Sequence, residues 1–316
     1  MADRIAVVGA GLIGRAWAIV FARAGHEVAL YDPADGVVAG ALEAIAAALP
    51  ELAEAGLLGG DAPAAVQARI HAAATLAAAL DGAGHVQENG PEKVEVKRAL
   101  FAELDRLAAP HAVLASSTSG IRASRFTAEL PGRARCLVAH PINPPHLVPL
   151  VEIVPAPWTD PGAVARTAAL MGAVGQAPIT LKREVDGFVA NRMQGVLLGE
   201  AFKLVEDGVC DAADVDTAIA DGIGLRWAFM GPFETIDLNA PGGVRDYCER
   251  FARMYHGLAS EDPEPRLMVG AGLDRVEADR RKALPADKLA ERARWRDRRL
   301  ADLVAAKLRA ARTIGR

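Results

Sequence analysis

The first half of the chain alternates short apolar runs with longer segments whose apolar residues recur at helical spacing. Residues 5–8 and 27–31 are typical of buried strands, and residues 13–24 between them are predicted to form a helix. Further strands are predicted at residues 85–87, 112–115, 137–139 and 148–154, with helical segments between them, including 37–56 and 62–70. This alternation predicts the α/β class, with a doubly wound, mostly parallel sheet that carries helices on both faces.

The alternation stops near residues 184–188, where Asp186 and Gly187 are predicted to cap a long helix. Beyond this point almost every segment has helical spacing, which begins with Phe188, Val189, Val196, Leu197 and Leu204. The sequence therefore predicts two domains. Residues 1–186 would hold the sheet, and residues 187–316 would form an all-α C-terminal domain.

A glycine-rich turn follows the first predicted strand and opens the first predicted helix. Its GxGxxG spacing suits a dinucleotide, because the glycines allow a tight turn and a close approach of the pyrophosphate to the backbone. The helix start also offers free N–H groups to phosphates. We expect cofactor contacts from Gly9, Gly11, Leu12, Ile13 and Gly14.

Asp32 ends the second predicted strand, 18 residues after Gly14, where a carboxylate can bind the hydroxyls of the adenosine ribose. Strand, glycines, helix, strand and acid therefore come in the order of a Rossmann-type NAD-binding domain. Asp32 would repel a 2′-phosphate, so NAD is expected rather than NADP. A purely structural βαβ unit is the alternative, and the glycines alone would also admit FAD.

The composition is that of an ordinary globular protein, with 51% hydrophobic and 24% charged residues. The net charge of −4 gives no overall case for nucleic-acid binding. The C-terminal segment from Asp274 is basic, with 14 Lys and Arg against 7 Asp and Glu. It could contact a polyanion, but mixed signs and recurring apolar residues favour a solvated helix.

The three cysteines, Cys136, Cys210 and Cys248, are far apart and form no CxxC pair. This pattern argues against a disulfide framework and a zinc site, and it fits the reducing cytoplasm. The N-terminus leads directly into a strand without a signal-peptide layout, and no run of 18 apolar residues exists. We therefore expect a cytoplasmic protein without a membrane span and without a bound metal.

Residues 138–154 form a predicted strand, a loop with four prolines, and a second strand. His140 ends the first strand, and Glu152 interrupts the apolar run of the second. If the loop folds the second strand back antiparallel, the two side chains can face each other as a general base and its carboxylate partner. Ser119 and Asn191 could then bind the substrate oxygen. A core histidine and a strand-edge glutamate are the alternatives, and His146 is a weaker candidate base.

Five motifs together resemble the L-3-hydroxyacyl-CoA dehydrogenase superfamily from end to end: GAGLIG, ENGPEKVEVKRALF, SSTSG, HPINPPHLVPLVEIV and DGFVANR. Within it, GLRWAFMGPFETIDLNA and RARWRDRRL are most similar to the lambda-crystallin branch, the L-gulonate 3-dehydrogenases. The resemblance implies His140 as base, Glu152 as its partner, and Ser119 and Asn191 as ligands of the substrate oxygen. Around the nicotinamide and its ribose it implies Ser117, Glu92 and Lys97. It also implies a homodimer formed through the helical domain.

One segment departs from the CoA-using relatives, which commonly have a GYPMGPF-like stretch. Here the stretch is GLRWAFMGPF, and Arg226 and Trp227 stand near the expected pocket. Arg226 could hold the carboxylate of a free acid, although an exposed or interface arginine explains it equally well.

The predicted function is therefore the NAD-dependent oxidation of the 3-hydroxyl of a small hydroxy acid such as L-gulonate. A 3-hydroxyacyl-CoA dehydrogenase, an L-carnitine dehydrogenase and a non-catalytic crystallin-like NAD-binding protein are the alternatives. Arg226 argues mildly against L-carnitine, whose trimethylammonium group would favour an anionic pocket.

Overall fold

The structure, a computed structural model, describes residues 4–228, 230–260, 274, 278, 281–282 and 284–313. The described residues up to Asn191, together with those from Arg294 onward, form one compact unit, and Arg192–Ala293 form a second. The sequence predicts a domain boundary at residue 186, and this boundary stays a prediction. Within the described residues, no helix is long and apolar enough to cross a membrane, and no group of acidic, histidine or cysteine side chains could hold a metal ion.

The first unit is built on one sheet of eight strands, in the order β3-β2-β1-β4-β5-β6-β7-β8. The pairing is parallel throughout except between β6 and β7. This confirms the predicted doubly wound, mostly parallel sheet. The strands are β1 Arg4–Val8, β2 Val28–Tyr31, β3 Ile70–Ala72, β4 Ala83–Glu88, β5 Val113–Ser116, β6 Cys136–Pro141, β7 Leu150–Pro155 and β8 Ala177–Thr180.

Successive strand residues point to opposite sides of the sheet. Both faces of the sheet are therefore apolar, and helices cover each of them. Ile5 and Val7 join a core with Trp17 and Phe21 on one face, and Ala6 and Val8 join a core with Phe101 and Phe126 on the other. The helices of this unit are α1 Leu12–Arg23, α2 Val37–Glu54, α3 Pro63–Ala68, α4 Leu76–Leu80, α5 Val94–Leu107, α6 Ser124–Thr127 and α7 Pro161–Ala173, with a 3₁₀ turn at Arg133–Arg135.

The helix prediction for residues 62–70 is wrong at its end, since Ile70 belongs to β3. Only Ile70 of the three β3 residues is buried, so this edge strand has no apolar run by which the sequence could reveal it. Three of the four residues of β8 are exposed, so no buried apolar run marks this strand either.

The second unit is helical, as predicted. Its elements are α8 Ala190–Glu206, α9 Ala212–Thr217, a π-helix at Ala218–Ile223, α10 Gly224–Trp227, α11 Pro232–Leu238, α12 Gly243–Ser260 and a 3₁₀ turn at Ala286–Lys288. The predicted helical pattern over residues 261–273 lies outside the described residues. A last helix, α13 Leu289–Thr313, continues into the first unit, where Ala301 joins the α1 side of the core. Residues 289–313 of the basic C-terminal segment therefore form a helix with one packed side.

Candidate active site

The histidine and the glutamate singled out in the sequence lie on adjacent antiparallel strands, with His140 opposite Glu152 in the register of β6 and β7. Two side chains hold the proline loop between these strands. Arg23 donates to the carbonyl of His146 at 2.7 Å, and Gln176 donates to the carbonyl of the preceding residue at 3.1 Å. The anchored loop returns the chain along β6, which brings the two functional side chains face to face.

His140 and Glu152 form a buried hydrogen-bonded pair, with 2.8 Å between His140 Nδ1 and Glu152 Oε2. Glu152 is fully buried and His140 is 3% exposed. Because a carboxylate only accepts hydrogen bonds, Nδ1 must carry the proton in this pair. The neutral imidazole therefore has its free lone pair on Nε2, the atom that can act as a base.

The second oxygen of Glu152 receives two backbone N–H groups at the start of α8, from Val189 at 2.7 Å and from Ala190 at 3.0 Å. Burial acts to raise the pKa of the Glu152 carboxyl. The hydrogen bonds from His140 and from the two N–H groups, together with the charge of His140, outweigh burial, so this pKa lies below its ordinary value. Glu152 thus remains available as a counter-charge for an imidazolium.

A strained turn delivers these N–H groups to Glu152. Gly187 has φ +74° and Phe188 has φ +51°, a conformation that is uncommon for a residue other than glycine. Phe188 is fully buried, and its ring centroid lies 5.5 Å from that of His140. The cap predicted at Asp186 comes too early, because α8 begins at Ala190 and Glu152 accepts its first N–H groups.

Ser119 and Asn191, the two predicted ligands of the substrate oxygen, are in direct contact. Asn191 Nδ2 donates to the backbone carbonyl of Ser119 at 2.6 Å. Asn191 follows Ala190, whose N–H binds Glu152. The start of α8 therefore connects the His140 pair to the turn after β5, and the structure gathers all four predicted residues in one region.

His146 does not belong to this arrangement. Its backbone carbonyl accepts the Arg23 guanidinium, and its own Nδ1 is buried without a hydrogen-bond partner in the described part of the chain. Burial and the charge of Arg23 lower the pKa of His146 to about 4. Its ring is therefore a poorer candidate base than that of His140.

The glycine turn has the close packing that its spacing predicts. A Cβ atom on Gly14 would lie 1.8 Å from the Gly9 carbonyl oxygen, so only glycine lets α1 lie this close to β1. Gly9 itself has φ +92°, whereas a Cβ atom on Gly11 would meet no atom of another described segment within 4 Å. Among the described residues, no side chain caps the start of α1. The turn therefore fits a pyrophosphate held by free N–H groups at the helix start.

Asp32 lies beside this turn and is held by two backbone groups. Its Oδ2 accepts from the Ala10 N–H at 2.9 Å, and its Oδ1 accepts from the Ala34 N–H at 3.0 Å. A cleft of about 860 Å³ opens here, lined by Gly9, Gly11, Asp32, Asn89, Gly90 and Leu100, among others. Its size and its single aspartate at the end of β2 suit the adenosine half of NAD.

We expect the protein to prefer NAD strongly, and Asp32→Ala to weaken NAD binding while relaxing the discrimination against NADP. Loss of hydrogen bonds to a charged carboxylate should cost roughly 1.5–3 kcal/mol, about 10- to 150-fold in affinity. Dissociation constants for both dinucleotides would measure this, with the exposed Asp35→Ala as the matched control. Equal kcat/KM for NAD and NADP in the unmodified protein would contradict the role of Asp32.

Ser117, one of the residues expected around the nicotinamide, forms hydrogen bonds with three other side chains. Ser117 Oγ accepts from Trp17 Nε1 at 3.0 Å and from Gln87 Nε2 at 2.7 Å, and it donates to Asn89 Oδ1 at 2.7 Å. Its hydroxyl is therefore saturated. Its predicted contact with the nicotinamide stays a prediction, and in the structure Ser117 is the centre of a hydrogen-bond network below the cleft.

Sequence reasoning overlooked two of the partners in this network, Trp17 and Gln87. Gln87 and Glu88 are fully buried polar residues at the end of β4. Two consecutive polar residues at the end of a strand are the signal that could have identified Gln87, because buried polar groups need partners.

Arg226 lies on α10 in the second unit and is exposed. It makes no hydrogen bond or ion pair with the part of the chain that the structure describes, so its guanidinium can receive an anion. The pKa of the nearby Tyr247 is raised, mainly by its hydrogen bond with Tyr255, and the charge of Arg226 acts in the opposite direction. The segment before Arg226 is helical, with an irregular backbone conformation at Gly222.

The chain is similar to known proteins over most of its length. Residues 4–185 match the family described as 3-hydroxyacyl-CoA dehydrogenase, NAD binding domain, and residues 187–279 match its C-terminal domain. A lambda-crystallin homolog of Mus musculus is 43% identical over 300 residues, which cover 94% of this chain and 93% of that protein. An L-carnitine dehydrogenase of Streptomyces griseus is 38% identical over 308 residues, 96% of this chain and 89% of that protein.

A solved structure has a similar fold over 97% of this chain and 98% of its own, with a TM-score of 0.79 and 28% identity. It is the 5-dehydrogenase of 5-formyl-3-hydroxy-2-methylpyridine 4-carboxylic acid, an NAD⁺-dependent dismutase. The family matches span both units, and the glycine turn with Asp32 fits the cofactor that this family uses. The chain therefore belongs to the 3-hydroxyacyl-CoA dehydrogenase family and is an NAD-dependent oxidoreductase.

Proposed function

We propose that this chain oxidises the 3-hydroxyl group of a small free hydroxy acid, such as L-gulonate, to the 3-keto acid. The observation that carries the proposal is the buried 2.8 Å hydrogen bond between His140 and Glu152, which leaves Nε2 as the basic atom. NAD, when bound, supplies the acceptor for the hydride that leaves C3. His140 and the cofactor cleft lie at the carboxyl ends of the parallel strands, where ligands bind in such sheets, and Glu152 faces His140 from the antiparallel β7.

Each predicted residue has a task in this reaction. His140 Nε2 takes the proton of the 3-hydroxyl while the C3–H bond breaks, and Glu152 stabilises the resulting imidazolium. The Ser119 hydroxyl has no partner in the described part of the chain, and Asn191 Nδ2 retains a second N–H beyond its bond to Ser119. These groups can orient the substrate oxygen. The buried Phe188 ring packs beside the His140 imidazole.

Two observations support a free acid over a CoA thioester. The first is Arg226, an exposed cation without a described partner, in the segment that departs from the CoA-using pattern. The second is that relatives over nearly the full chain are named for L-carnitine and for a pyridine carboxylic acid, both of which are free acids. The family description favours a 3-hydroxyacyl-CoA as the alternative substrate.

If Arg226 holds the substrate carboxylate, Arg226→Met should raise KM for L-gulonate with little change in NAD binding. Loss of one charged contact should cost roughly 1.5–3 kcal/mol, about 10- to 150-fold. Steady-state kinetics on L-gulonate and on 3-hydroxybutyryl-CoA would measure it, with NADH absorbance as the signal. Arg309→Met, which removes an exposed charge from α13, is the matched control.

Unchanged L-gulonate kinetics in Arg226→Met would show that Arg226 is not the carboxylate anchor. A large loss on the thioester instead would assign Arg226 to the CoA substrate and favour the acyl-CoA alternative.

A homodimer through the helical unit is also part of the proposal. Several large apolar side chains of this unit are at least half exposed in the single chain: Met193, Val196, Phe233, Leu238, Met254 and Leu258. Exposed apolar area of this extent is typical of a surface that another subunit covers. Sedimentation equilibrium should give twice the mass of the chain, and a monomer at micromolar concentration would contradict it. The cytoplasmic location stays a prediction from the cysteine pattern.

A further inference from the structure

A glutamine amide is buried between the cofactor turns and the strand that carries the candidate base. Gln87 on β4 is fully buried, and its Nε2 atom donates to Ser117 Oγ at 2.7 Å and to the Ala139 carbonyl at 3.2 Å. Ser117 begins the turn after β5, and Ala139 immediately precedes His140 on β6. One amide therefore joins the turn that is predicted to border the nicotinamide to the strand of the base.

The side chain of Gln87 crosses over β5 to reach β6. Strands β4 and β6 are not neighbours in the sheet, because β5 lies between them. The register partner of Gln87 on β5 is Ala115, and both Ala115 and Ala139 are fully buried on the α1 side of the core. Their methyl groups are small enough to leave space for the amide. A larger side chain at either position would compete with the amide for this space.

His85 determines the orientation of the Gln87 amide. Its Nε2 atom lies 3.1 Å from Gln87 Oε1. His85 is 3% exposed, and burial lowers the pKa of its ring to about 4, so the ring is neutral at neutral pH. An amide oxygen only accepts, so His85 Nε2 carries the proton and donates it. The reverse orientation of the amide would bring its oxygen against the Ala139 carbonyl oxygen, where neither atom can donate.

The other members of this network are saturated as well. Ser117 Oγ also accepts from Trp17 Nε1 and donates to Asn89 Oδ1. Asn89 Nδ2 donates to the Val8 carbonyl at 3.3 Å and to the Gln87 carbonyl at 2.9 Å. Each proton in the network thus has one assignment. Because every donor has an acceptor, the network holds the ends of β1, β4 and β5 in one geometry.

We propose that Gln87 is a positioning residue for the reaction, whose amide fixes the distance between the turn at Ser117 and the strand that carries His140. Hydride and proton leave the same carbinol group of the substrate, so nicotinamide and base must be held together, and a misplacement of about 1 Å can cost about 10²-fold in rate. The inference rests on the proposed function for the role of His140 as base. It holds equally for a free acid and for a thioester.

Gln87→Met keeps the length of the side chain and removes both donors. We expect it to lower kcat about 10- to 100-fold and to change the NADH dissociation constant less than about three-fold, because the side chains that line the adenosine cleft are kept. Rates would be measured with L-gulonate or 3-hydroxybutyryl-CoA, whichever the unmodified protein oxidises faster. Gln67→Met is the matched control, since Gln67 Oε1 has no hydrogen-bond partner in the described part of the chain. It should leave both quantities unchanged.

A double-substitution cycle with His140→Ala separates positioning of the base from support of the fold. A protein without the base has no base to misplace, so adding Gln87→Met to His140→Ala should lower kcat by less than about three-fold more. A glutamine that only supports the fold would instead cost the same factor in both backgrounds. Gln87→Glu, which has nearly the same shape but at most one donor even when protonated, should be no faster than Gln87→Met.

If Gln87→Met does not fold, His85→Phe provides the same comparison, because it keeps Gln87 and removes the donor that orients its amide. It should lower kcat several-fold, and only while His140 is present.

Normal kcat in the folded variants, or equal losses with and without His140, would overturn the inference. The two proposals fail in different ways. A normal rate in Gln87→Met beside a slow His140→Ala refutes the role of Gln87 alone, whereas a normal rate in His140→Ala refutes the proposed base and this inference with it.

Discussion

Replacement of His140 by alanine is expected to lower kcat by about 10²–10⁴-fold, the usual range for loss of a general base, with NADH affinity nearly unchanged. The expectation follows from its hydrogen bond to Glu152, which directs the free lone pair of the imidazole to Nε2. His140 lies in the sheet rather than in the adenosine cleft, so the change should spare the dinucleotide. Steady-state kinetics with the best substrate, together with NADH titration, would measure both effects.

The matched control is His146→Ala, on the proline loop between β6 and β7. Arg23 binds the backbone carbonyl of His146 and not its ring, so this substitution keeps the loop anchor. We expect a much smaller loss of kcat. The role of His140 would be refuted if His140→Ala turned over near the normal rate, or if His146→Ala showed the larger loss.

Glu152→Gln is expected to cost about 10²–10⁴-fold in kcat, comparable to the loss of the histidine. Both carboxylate oxygens are acceptors, one for His140 and the other for the N–H groups of Val189 and Ala190. A glutamine has one oxygen. If that oxygen accepts the backbone groups, its NH₂ faces His140 Nδ1 and favours the tautomer with the proton on Nε2, which cannot act as base.

The pH dependence separates this effect from a general loss of structure. In the variant the imidazolium loses its counter-charge, so any residual activity should persist to lower pH than in the unmodified protein. Glu129→Gln, an exposed glutamate, should leave both the rate and the pH profile unchanged. A Glu152→Gln protein with normal kcat would show that Glu152 serves only the start of α8.

The parts of the fold that the sequence predicts correctly are those governed by local rules. Gly14 could be placed because only glycine permits α1 to lie against the Gly9 carbonyl, and this requirement comes with a fixed spacing. The facing of His140 and Glu152 followed from one assumption, that a stiff loop returns the chain antiparallel. Strand β3 could not be found in this way, since a single buried residue, Ile70, sets no pattern.

The remaining parts of the site depend on contacts between distant segments. Glu152 accepts N–H groups 37 and 38 residues later in the chain, and no local pattern reveals a helix start held by a strand residue. Lys97 could be associated with the cofactor site from its motif, but its burial against Glu88 depends on how α5 lies over β4. The motifs thus predict which residues belong to the candidate site, whereas tertiary packing determines which atoms those residues contact.

The central claim, oxidation of a free 3-hydroxy acid, is tested most directly by the substrate preference of the unmodified protein. With NAD present, kcat/KM would be measured from NADH absorbance for L-gulonate, L-carnitine, 3-hydroxybutyrate and 3-hydroxybutyryl-CoA. We expect the highest kcat/KM for L-gulonate, with the thioester well below it. A higher kcat/KM for 3-hydroxybutyryl-CoA would contradict the free-acid proposal and make the acyl-CoA thioester the substrate.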